Sequence, residues 1–171
     1  MFRKTRYQYY TNVNYLTCER CLAWHGVLRR SARKFPDLAD GCERVILPVS
    51  PKERKERKEQ GRRMRLAAQA ELERRKLFEA GVEALTENPE QAIASFRQAA
   101  CIDLYVPDLE RLAKRHRGLL DRDPALREAL RALFVKAFSD KFGWRRYERL
   151  AEAMRLQREK AGIERINELF R

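Results

Sequence analysis

The sequence predicts a mainly α-helical fold, in which a small N-terminal module is followed by a long helix and then by a helical bundle or repeat-like helical hairpins. Two observations lead to this prediction. Charged residues make up 37% and hydrophobic residues 44% of the chain, while Gly and Pro number only seven and six, a balance that favours packed helices over a β-sandwich or barrel. Apolar residues also recur at helical spacing from about residue 66 onwards.

The first fifty residues predict short elements. Residues 1–16 alternate aromatic and polar positions, which is typical of a short extended or irregular arm. Residues 18–30 suit a short helix, and Pro36 and Gly41 mark turns after it. The apolar run at 45–49 is interrupted only by a proline, and it predicts a strand or an extended segment.

A long helix is predicted to begin at residue 50. The tetrapeptide Ser50–Glu53 combines an N-cap serine, a proline at the first helical position and a capping-box glutamate. From there to about residue 85 only Gly61 opposes helix formation, and the first turns are nearly all charged. We therefore predict a domain boundary near residue 50, with a basic module at 1–50 and an α-helical body at 51–171 that opens with the long charged helix.

Further helix starts follow at Asn88, Pro107, Asp123 and Gly143, each of which precedes an apolar stripe at helical spacing. The stripes contain most of the aromatic residues of this region, and we interpret them as core packing. His116 lies on one of these stripes, so we expect it to be a core residue and not a catalytic one.

Small and large apolar residues alternate in a way that suits two packed helices at Gly81, Ala92, Ile93, Phe96, Ala99 and Ile102. With these positions, residues 77–103 resemble a single tetratricopeptide repeat. The resemblance implies a helical hairpin in which small residues let the two helices approach closely. A repeat solenoid needs at least about three copies to bury a continuous core, and no second copy is present in the sequence.

Three of the four cysteines and one of the two histidines fall in the first 42 residues, with the spacing Cys18-x2-Cys21-x3-His25-x16-Cys42. On a helix, the first three of these side chains would project from one face, and Cys42 would return to it across the intervening turns. Three thiolates and one imidazole suit a closed, tetrahedral, structural Zn2+ site. The sequence therefore predicts that the N-terminal module is zinc-stabilised.

Two other interpretations of these cysteines remain open. The same residues form an ordinary amphipathic face, on which reduced thiols would pack as small hydrophobic groups. A redox pair is the other alternative, although no thioredoxin-like βαβ pattern surrounds Cys18 and Cys21. The sequence begins without a secretory signal pattern, so we expect a cytoplasmic location in which thiols stay reduced. Cys101 is expected to be a buried structural thiol.

The N-terminal region also shares a set of residues with a known family: Tyr10–Cys21, Gly26, Phe35-Pro36 and Gly41–Val49. Together they resemble the Cys-rich end of tailed-phage minor head (head morphogenesis) proteins. In that family a histidine usually precedes a closing Cys-x-Cys, whereas here Asp40 and Arg44 occupy those positions and only Cys42 remains. The resemblance covers residues 10–49 and implies a metal-stabilised module, with a phage-derived structural role as one functional alternative.

Positive charge is concentrated near the N-terminus. Of the formal net charge of +13, ten units lie in the first 65 residues. Such a field attracts polyanions, and the basic residues alternate with tyrosines whose rings can stack on unpaired bases. The alternatives are a solvated basic surface and tyrosines that only pack the module. We predict nucleic-acid binding through these residues: Arg3, Lys4, Arg6, Tyr7, Arg29, Arg30, Arg33, Lys34, Lys55, Arg62 and Arg63.

These features predict a non-catalytic, zinc-containing basic protein that binds RNA or DNA. The main alternative is a protein-protein interaction adaptor built on the tetratricopeptide-like hairpin, with a protein as its partner. We expect neither enzyme activity nor a small-molecule substrate, because the sequence has no Gly-rich phosphate loop, no nucleophile elbow and no recognisable pair of carboxylates. No membrane association is expected either, since no run of eighteen apolar residues is present.

Overall fold

A computed structural model of the chain describes residues 5–11, 17–36, 42–142 and 152–171. In these ranges it contains seven α-helices and one three-stranded sheet. The fold is therefore mainly α, with a small N-terminal module, a long helix and a helical body, as the sequence predicts. By its internal contacts the chain divides into two compact units, Met1–Glu73 and Arg74–Arg171, and each is described by itself. The domain boundary near residue 50 stays a prediction.

The first unit is built around the small sheet. Its elements, in chain order, are β1 (Arg6–Thr11), α1 (Glu19–Trp24), β2 (Leu28–Arg29), a short 3-10 turn (Ala32–Lys34), β3 (Arg44–Val49) and the first part of α2 (Arg54–Ala84). The strand order is β2-β1-β3, and both pairings are antiparallel. The predicted extended arm and the predicted strand at 45–49 are thus neighbouring strands, with β1 at the centre of the sheet.

The helix predicted over residues 18–30 is shorter than expected. It ends at Trp24, and Gly26 adopts a left-handed backbone conformation (φ 75°) that glycine tolerates and other residues rarely adopt. The Gly26 N–H donates to the Tyr9 carbonyl (2.8 Å), and the Tyr9 N–H donates to the Val27 carbonyl (3.1 Å). Hydrogen bonds to the central strand have therefore replaced the last turns of the predicted helix.

The capping-box hydrogen bonds predicted for Ser50 and Glu53 are present, although α2 itself begins only at Arg54. The Glu53 N–H donates to the Ser50 hydroxyl (3.4 Å), and the Ser50 N–H donates to the Glu53 carboxylate (3.0 Å). This reciprocal pair is a capping box, which satisfies donors that the first turn of a helix would otherwise leave unpaired. The Ser50 hydroxyl also donates to the Glu53 carboxylate (2.5 Å), and this bond, together with the one from the Ser50 N–H, lowers the pKa of Glu53.

Gly61 lies on the buried side of α2, close to the turn at Gly26. A Cβ atom at Gly61 would lie 2.4 Å from the Gly26 carbonyl oxygen and 2.7 Å from Gln8 Nε2. The same carbonyl accepts hydrogen bonds from Gln8 Nε2 (3.3 Å) and Arg65 Nη1 (3.0 Å), and Gln8 Nε2 also donates to the Arg57 carbonyl (3.0 Å). The residue that opposes helix formation in the sequence therefore lets α2 pack directly against the turn between α1 and β2.

The second unit consists, in the described residues, of the end of α2 and five further helices: α3 (Pro89–Ile102), α4 (Val106–Arg115), α5 (Arg117–Arg122), α6 (Pro124–Phe142) and α7 (Glu152–Leu169). Phenylalanine rings line its core, and Phe78, Phe96, Phe134 and Phe170 have successive centroid distances of 5.1, 5.6 and 5.5 Å. Gly81 packs against Phe96, whose ring a Cβ atom would approach to 2.7 Å. The predicted apolar stripes are thus core packing.

Two predicted helix starts have side-chain caps. The Gln91 N–H donates to Asn88 Oδ1 (3.1 Å) at the start of α3, and the Leu126 N–H donates to Asp123 Oδ1 (2.9 Å) at the start of α6. The start predicted after Gly143 lies outside the described residues. No described helix combines the length and the apolar character that a membrane span requires.

A buried ion pair joins α2 to α4 within the second unit. Arg74 Nη1 donates to Asp108 Oδ2 at 2.7 Å, and neither side chain is more than 3% exposed. The Arg74 guanidinium also lies 4.6 Å from the centre of the Tyr105 ring, and Asp108 forms a second pair with Arg111. The sequence does not single out these residues, because charged side chains are rarely fully buried and helical periodicity alone marks them as exposed.

We expect Gly61→Ala to destabilise the protein by about 1–3 kcal/mol, because the atom nearest to the added methyl group is the Gly26 backbone carbonyl oxygen, which cannot turn aside as a flexible side chain can. Without a clash, alanine would favour the helix over glycine by about 1 kcal/mol. A loss of stability on substitution would therefore show that the methyl group clashes with its neighbours. Urea unfolding monitored by circular dichroism measures the change.

Gly118→Ala is the matched control for this substitution. Gly118 lies in α5, where an added Cβ would have no neighbour within 4 Å. We expect this variant to be as stable as the unmodified protein or more stable by up to about 1 kcal/mol. Equal stability of the two alanine variants would mean that α2 does not pack against the Gly26 turn as described.

Candidate metal centre

Three of the four predicted metal ligands come together in the first unit. The sulfur atoms of Cys18, Cys21 and Cys42 all lie within 4.8 Å of one another. Two sulfurs bound to one tetrahedral Zn2+ at about 2.3 Å are separated by about 3.8 Å, so small side-chain movements suffice for all three to share an ion. Residues 18 and 21 flank the start of α1, and residue 42 lies two positions before β3. The three thiols are therefore a candidate metal centre.

Each of the three sulfurs accepts at least one hydrogen bond. The Cys21 N–H donates to Cys18 Sγ (3.4 Å), because Cys18 is the N-cap residue of α1. The Cys18 N–H donates to Cys42 Sγ (3.5 Å), and the Tyr9 hydroxyl donates to Cys21 Sγ (3.3 Å). Donors of this kind stabilise negative charge on sulfur and orient it, as they do around protein metal ligands.

The three sulfurs differ in exposure. Cys21 is fully buried, whereas Cys18 and Cys42 are half-buried. An aromatic cluster adjoins Cys21 through Tyr9, whose hydroxyl contacts the sulfur: the Tyr9 ring packs on Phe35 with centroids 5.4 Å apart, and Phe35 packs edge-on against Trp24 at 5.9 Å. The centre is thus closed on its inner side and reachable from solvent at two of its sulfurs.

The thiol pKa values differ between neighbouring cysteines. Burial raises the pKa of Cys18, but hydrogen bonds from Cys21 and Cys42 outweigh this effect and leave it below its ordinary value. The Cys18 N–H lowers the pKa of Cys42, yet its thiol-to-sulfur hydrogen bond to Cys18, together with burial, raises it overall. Adjacent sulfurs therefore do not ionise independently, because like charges at this distance repel one another. A bound cation removes that repulsion.

His25, the fourth predicted ligand, is not brought into this group by the structure. Because α1 ends at Trp24, His25 does not continue the helical face that carries Cys18 and Cys21. Its Nδ1 instead accepts a hydrogen bond from the Thr11 N–H (3.1 Å) at the end of β1. Burial lowers the pKa of His25, which is consistent with a neutral imidazole that accepts through Nδ1. His25 therefore fixes the end of β1.

Sequence reasoning missed the role of Tyr9. The alternation of aromatic and basic residues near the N-terminus indicated rings that stack on bases or pack the module, and it did not connect any tyrosine to the cysteines. Tyr9 is fully buried at the centre of the sheet, and its hydroxyl meets a candidate ligand. The alternation of side chains along a strand is the sequence signal that could have indicated this contact. If residues 6–11 form a strand beside the helix that carries Cys21, every second side chain of the strand points towards that helix.

Cys101 was expected to be buried, and this expectation is wrong. It lies in α3 of the second unit and is exposed. The apolar stripe of α3 that includes Ala92, Phe96 and Ala99 is buried, but Cys101 falls two residues after its last member and faces outward.

The predicted nucleic-acid-binding residues fall into three groups. Arg3 and Lys4 lie outside the described residues. Arg6 and Tyr7 are partly buried in β1. The other predicted residues are exposed, in two segments of the first unit: Arg29, Arg30, Arg33 and Lys34 around β2 and the 3-10 turn, and Lys55, Arg62 and Arg63 on α2.

The first exposed segment, Arg29–Lys34, carries four cations in six residues. It lies in the chain between the second and third cysteine ligands. Both of its ends are attached to the module: the Arg29 guanidinium stacks on Trp24, 5.0 Å from the ring centroid, and Phe35, the next residue after the segment, packs on Tyr9. The position of these cations therefore depends on the aromatic cluster of Tyr9, Trp24 and Phe35, whose Tyr9 hydroxyl contacts Cys21 Sγ.

On α2, three exposed cations form a stripe. Lys55, Lys58 and Arg62 are spaced at i, i+3 and i+7, so they share one face of the helix. Arg63 lies off this stripe and pairs with Glu59 at 3.6 Å, an exposed pair that contributes little to stability. The stripe presents its charge to solvent along about two turns of helix.

Comparison of the chain with protein-family models, curated proteins and solved structures gives no match. The resemblances of residues 10–49 and 77–103 therefore remain expectations.

We expect the purified protein to bind one Co2+ with the intense near-ultraviolet absorption of sulfur-to-metal charge transfer, and Zn2+ to displace it. Cys42→Ser should weaken Zn2+ binding by more than about 100-fold, because it removes a ligand. Cys42 is only half-buried, so serine disturbs little packing. Titration with a chromophoric chelator as competitor measures the affinity.

Cys101→Ser serves as the control, since this thiol is exposed in the other unit. It should leave both the Co2+ spectrum and the Zn2+ affinity unchanged. A protein that binds no Co2+ at all, or a Cys42→Ser variant that binds as the unmodified protein does, would show that the thiols are only packed side chains.

Proposed function

We propose that this protein is a non-catalytic, zinc-containing protein that binds nucleic acid through a basic surface held in place by its metal centre. The observation that carries the proposal is the arrangement around the sulfurs. Three thiols converge, each accepts a hydrogen bond, and four exposed cations lie in the segment between the second and third of them.

The chemistry of the ligands supports zinc. Thiolates are soft ligands, and Zn2+ is a common metal at sites rich in cysteine in reducing compartments. Three thiolates and a divalent ion have a net charge of −1, which makes the ion a weak Lewis acid and favours a structural role over activation of a water molecule. Among the described residues the group has three members, so the fourth ligand is left to be identified by experiment.

The size of the apolar core supports a stabilising role for the metal. Among the described residues before α2, five hydrophobic side chains are fully or nearly fully buried: Tyr9, Cys21, Leu22, Phe35 and Val49. Small modules with so little core commonly need a disulfide or a metal ion to remain folded. An ion bound here would link the start of α1 to the residues before β3 and so reduce the freedom of the unfolded chain.

The distribution of charge supports a polyanionic partner. The cations at Arg29–Lys34 and the stripe on α2 are exposed, and the same region of the sequence holds ten of the thirteen excess charges. Arginine and lysine side chains bind phosphate groups and release condensed counterions, which gives affinity for RNA or DNA without sequence preference. The ring of Trp24 beneath Arg29 adds an aromatic surface of the type that stacks on unpaired bases.

We expect the protein to bind mixed-sequence RNA or DNA with an affinity that falls steeply as salt increases. The triple variant Arg30→Gln, Arg33→Gln, Lys34→Gln should weaken binding at low salt. If each side chain contacts one phosphate of duplex DNA, the slope of log affinity against log salt should decrease in magnitude by about 3. Fluorescence anisotropy across a salt series measures both quantities.

A control variant that removes three positive charges from the second unit distinguishes binding by the Arg29–Lys34 segment from attraction by the net charge of the protein. Lys114→Gln, Arg115→Gln and Arg117→Gln remove three exposed cations there. This control should bind as the unmodified protein does. Equal losses in the two triple variants would indicate attraction by net charge alone, and absence of binding at low salt would exclude a nucleic-acid partner.

One structural feature favours the alternative role as a protein-interaction adaptor. In the second unit an open groove of about 920 Å3 runs between α3 and α6, and its floor is mainly apolar, with Ile93, Ala100, Leu133 and Ala137 among its lining residues. A groove of this kind suits an apolar segment of a partner. If the salt series shows no nucleic-acid binding, this groove becomes the main candidate for function.

A further inference from the structure

We infer that Tyr9 is a positioning residue for the metal centre: its hydroxyl donates a hydrogen bond to the Cys21 sulfur and thereby sets the metal affinity and the electron density of that ligand. This inference rests on the proposed metal centre and assigns a role to a residue outside the ligand set. Its basis is the contact between the Tyr9 hydroxyl and Cys21 Sγ at 3.3 Å, between two fully buried side chains.

Tyr9 differs from the other two donors in kind. Apart from the thiols of the cluster itself, the donors to Cys18 Sγ and Cys42 Sγ are the backbone N–H groups of Cys21 and Cys18, which no side-chain substitution removes directly. Cys21 Sγ receives its bond from a side chain. The side chain at position 9 therefore determines whether Cys21 Sγ accepts this hydrogen bond, and with it the electron density on that sulfur.

The sheet holds this hydroxyl firmly in place. Tyr9 lies in the central strand, opposite Ile46 of β3, and its backbone N–H and carbonyl bond to Val27 and Gly26 on the other side. Its ring packs on Phe35. With backbone and ring both fixed, the hydroxyl has little freedom to turn elsewhere, and an unpaired buried hydroxyl would carry a desolvation cost.

A hydrogen bond to a metal-bound thiolate has two measurable effects. It stabilises the sulfur in its ionised, ligating form, so its loss weakens metal binding; removal of such outer hydrogen bonds typically costs about 10–100-fold in affinity. It also withdraws electron density from the sulfur, so its loss moves the sulfur-to-metal charge-transfer absorption to lower energy. A residue that only fills space would not produce the second effect.

The test is Tyr9→Phe, which removes the hydroxyl and keeps the ring that packs on Phe35. We expect Zn2+ affinity, measured by chelator competition, to fall about 10–100-fold, and the charge-transfer band of the Co2+ protein to shift to longer wavelength. Tyr7→Phe is the matched control, because it removes a tyrosine hydroxyl from the same strand and Tyr7 is not among the donors to the sulfurs. It should change neither quantity.

A second measurement covers the case in which Tyr9→Phe fails to fold, which circular dichroism of the metal-loaded protein would reveal. Site-specific replacement of Tyr9 by 3-fluorotyrosine keeps the hydroxyl and makes it a stronger donor, so the charge-transfer band should move to shorter wavelength. An unmoved band in the fluorotyrosine protein, or a folded Tyr9→Phe variant with unchanged affinity and spectrum, overturns the inference while the metal centre stands. If the unmodified protein binds neither Co2+ nor Zn2+, both the proposed function and this inference are wrong.

Discussion

The first unit depends on the close backbone contact between Gly26 and Gly61. At Gly26 the chain leaves α1, turns in a left-handed conformation and joins the central strand, and the carbonyl of the same residue accepts two side-chain hydrogen bonds. A methyl group on either glycine would lie within 2.5 Å of the other residue's carbonyl oxygen. Helix α2 can therefore lie against the sheet module only because both positions lack a side chain.

The candidate metal centre lies at the other end of α1 in the same module. Its sulfurs bring the start of α1 close to Cys42, two positions before β3, whereas the glycine contact joins the end of α1 to α2. Tyr9 connects the two regions: its backbone pairs with the residues of the Gly26 turn, and its hydroxyl reaches Cys21. A single strand thus couples the sulfurs to the packing of the helix, and changes at either place should be felt at the other.

The basic residues of this region have two different tasks. Arg65 donates to the Gly26 carbonyl, and Arg57 donates to the Tyr10 hydroxyl (2.9 Å), which in turn donates to Gln8 Oε1 (2.7 Å). These arginines hold the sheet module on α2 and are only partly exposed. The cations on the Arg29–Lys34 segment and along the α2 stripe remain in contact with solvent. The charge available to a polyanion is therefore smaller than the composition alone indicates.

The sequence by itself indicated the helical class, the capping box before α2, extended chain in the regions of the two longer strands and a cysteine group that includes Cys18, Cys21 and Cys42, because each follows from local preferences or from spacing along the chain. It also singled out Gly61 as an exception within α2 without giving the reason. Only the tertiary structure decided that α1 stops at Trp24, that His25 bonds to the Thr11 N–H and that Tyr9 faces a sulfur. These outcomes depend on pairing between segments distant in sequence, where hydrogen bonds to the central strand outweigh the local preference for helix.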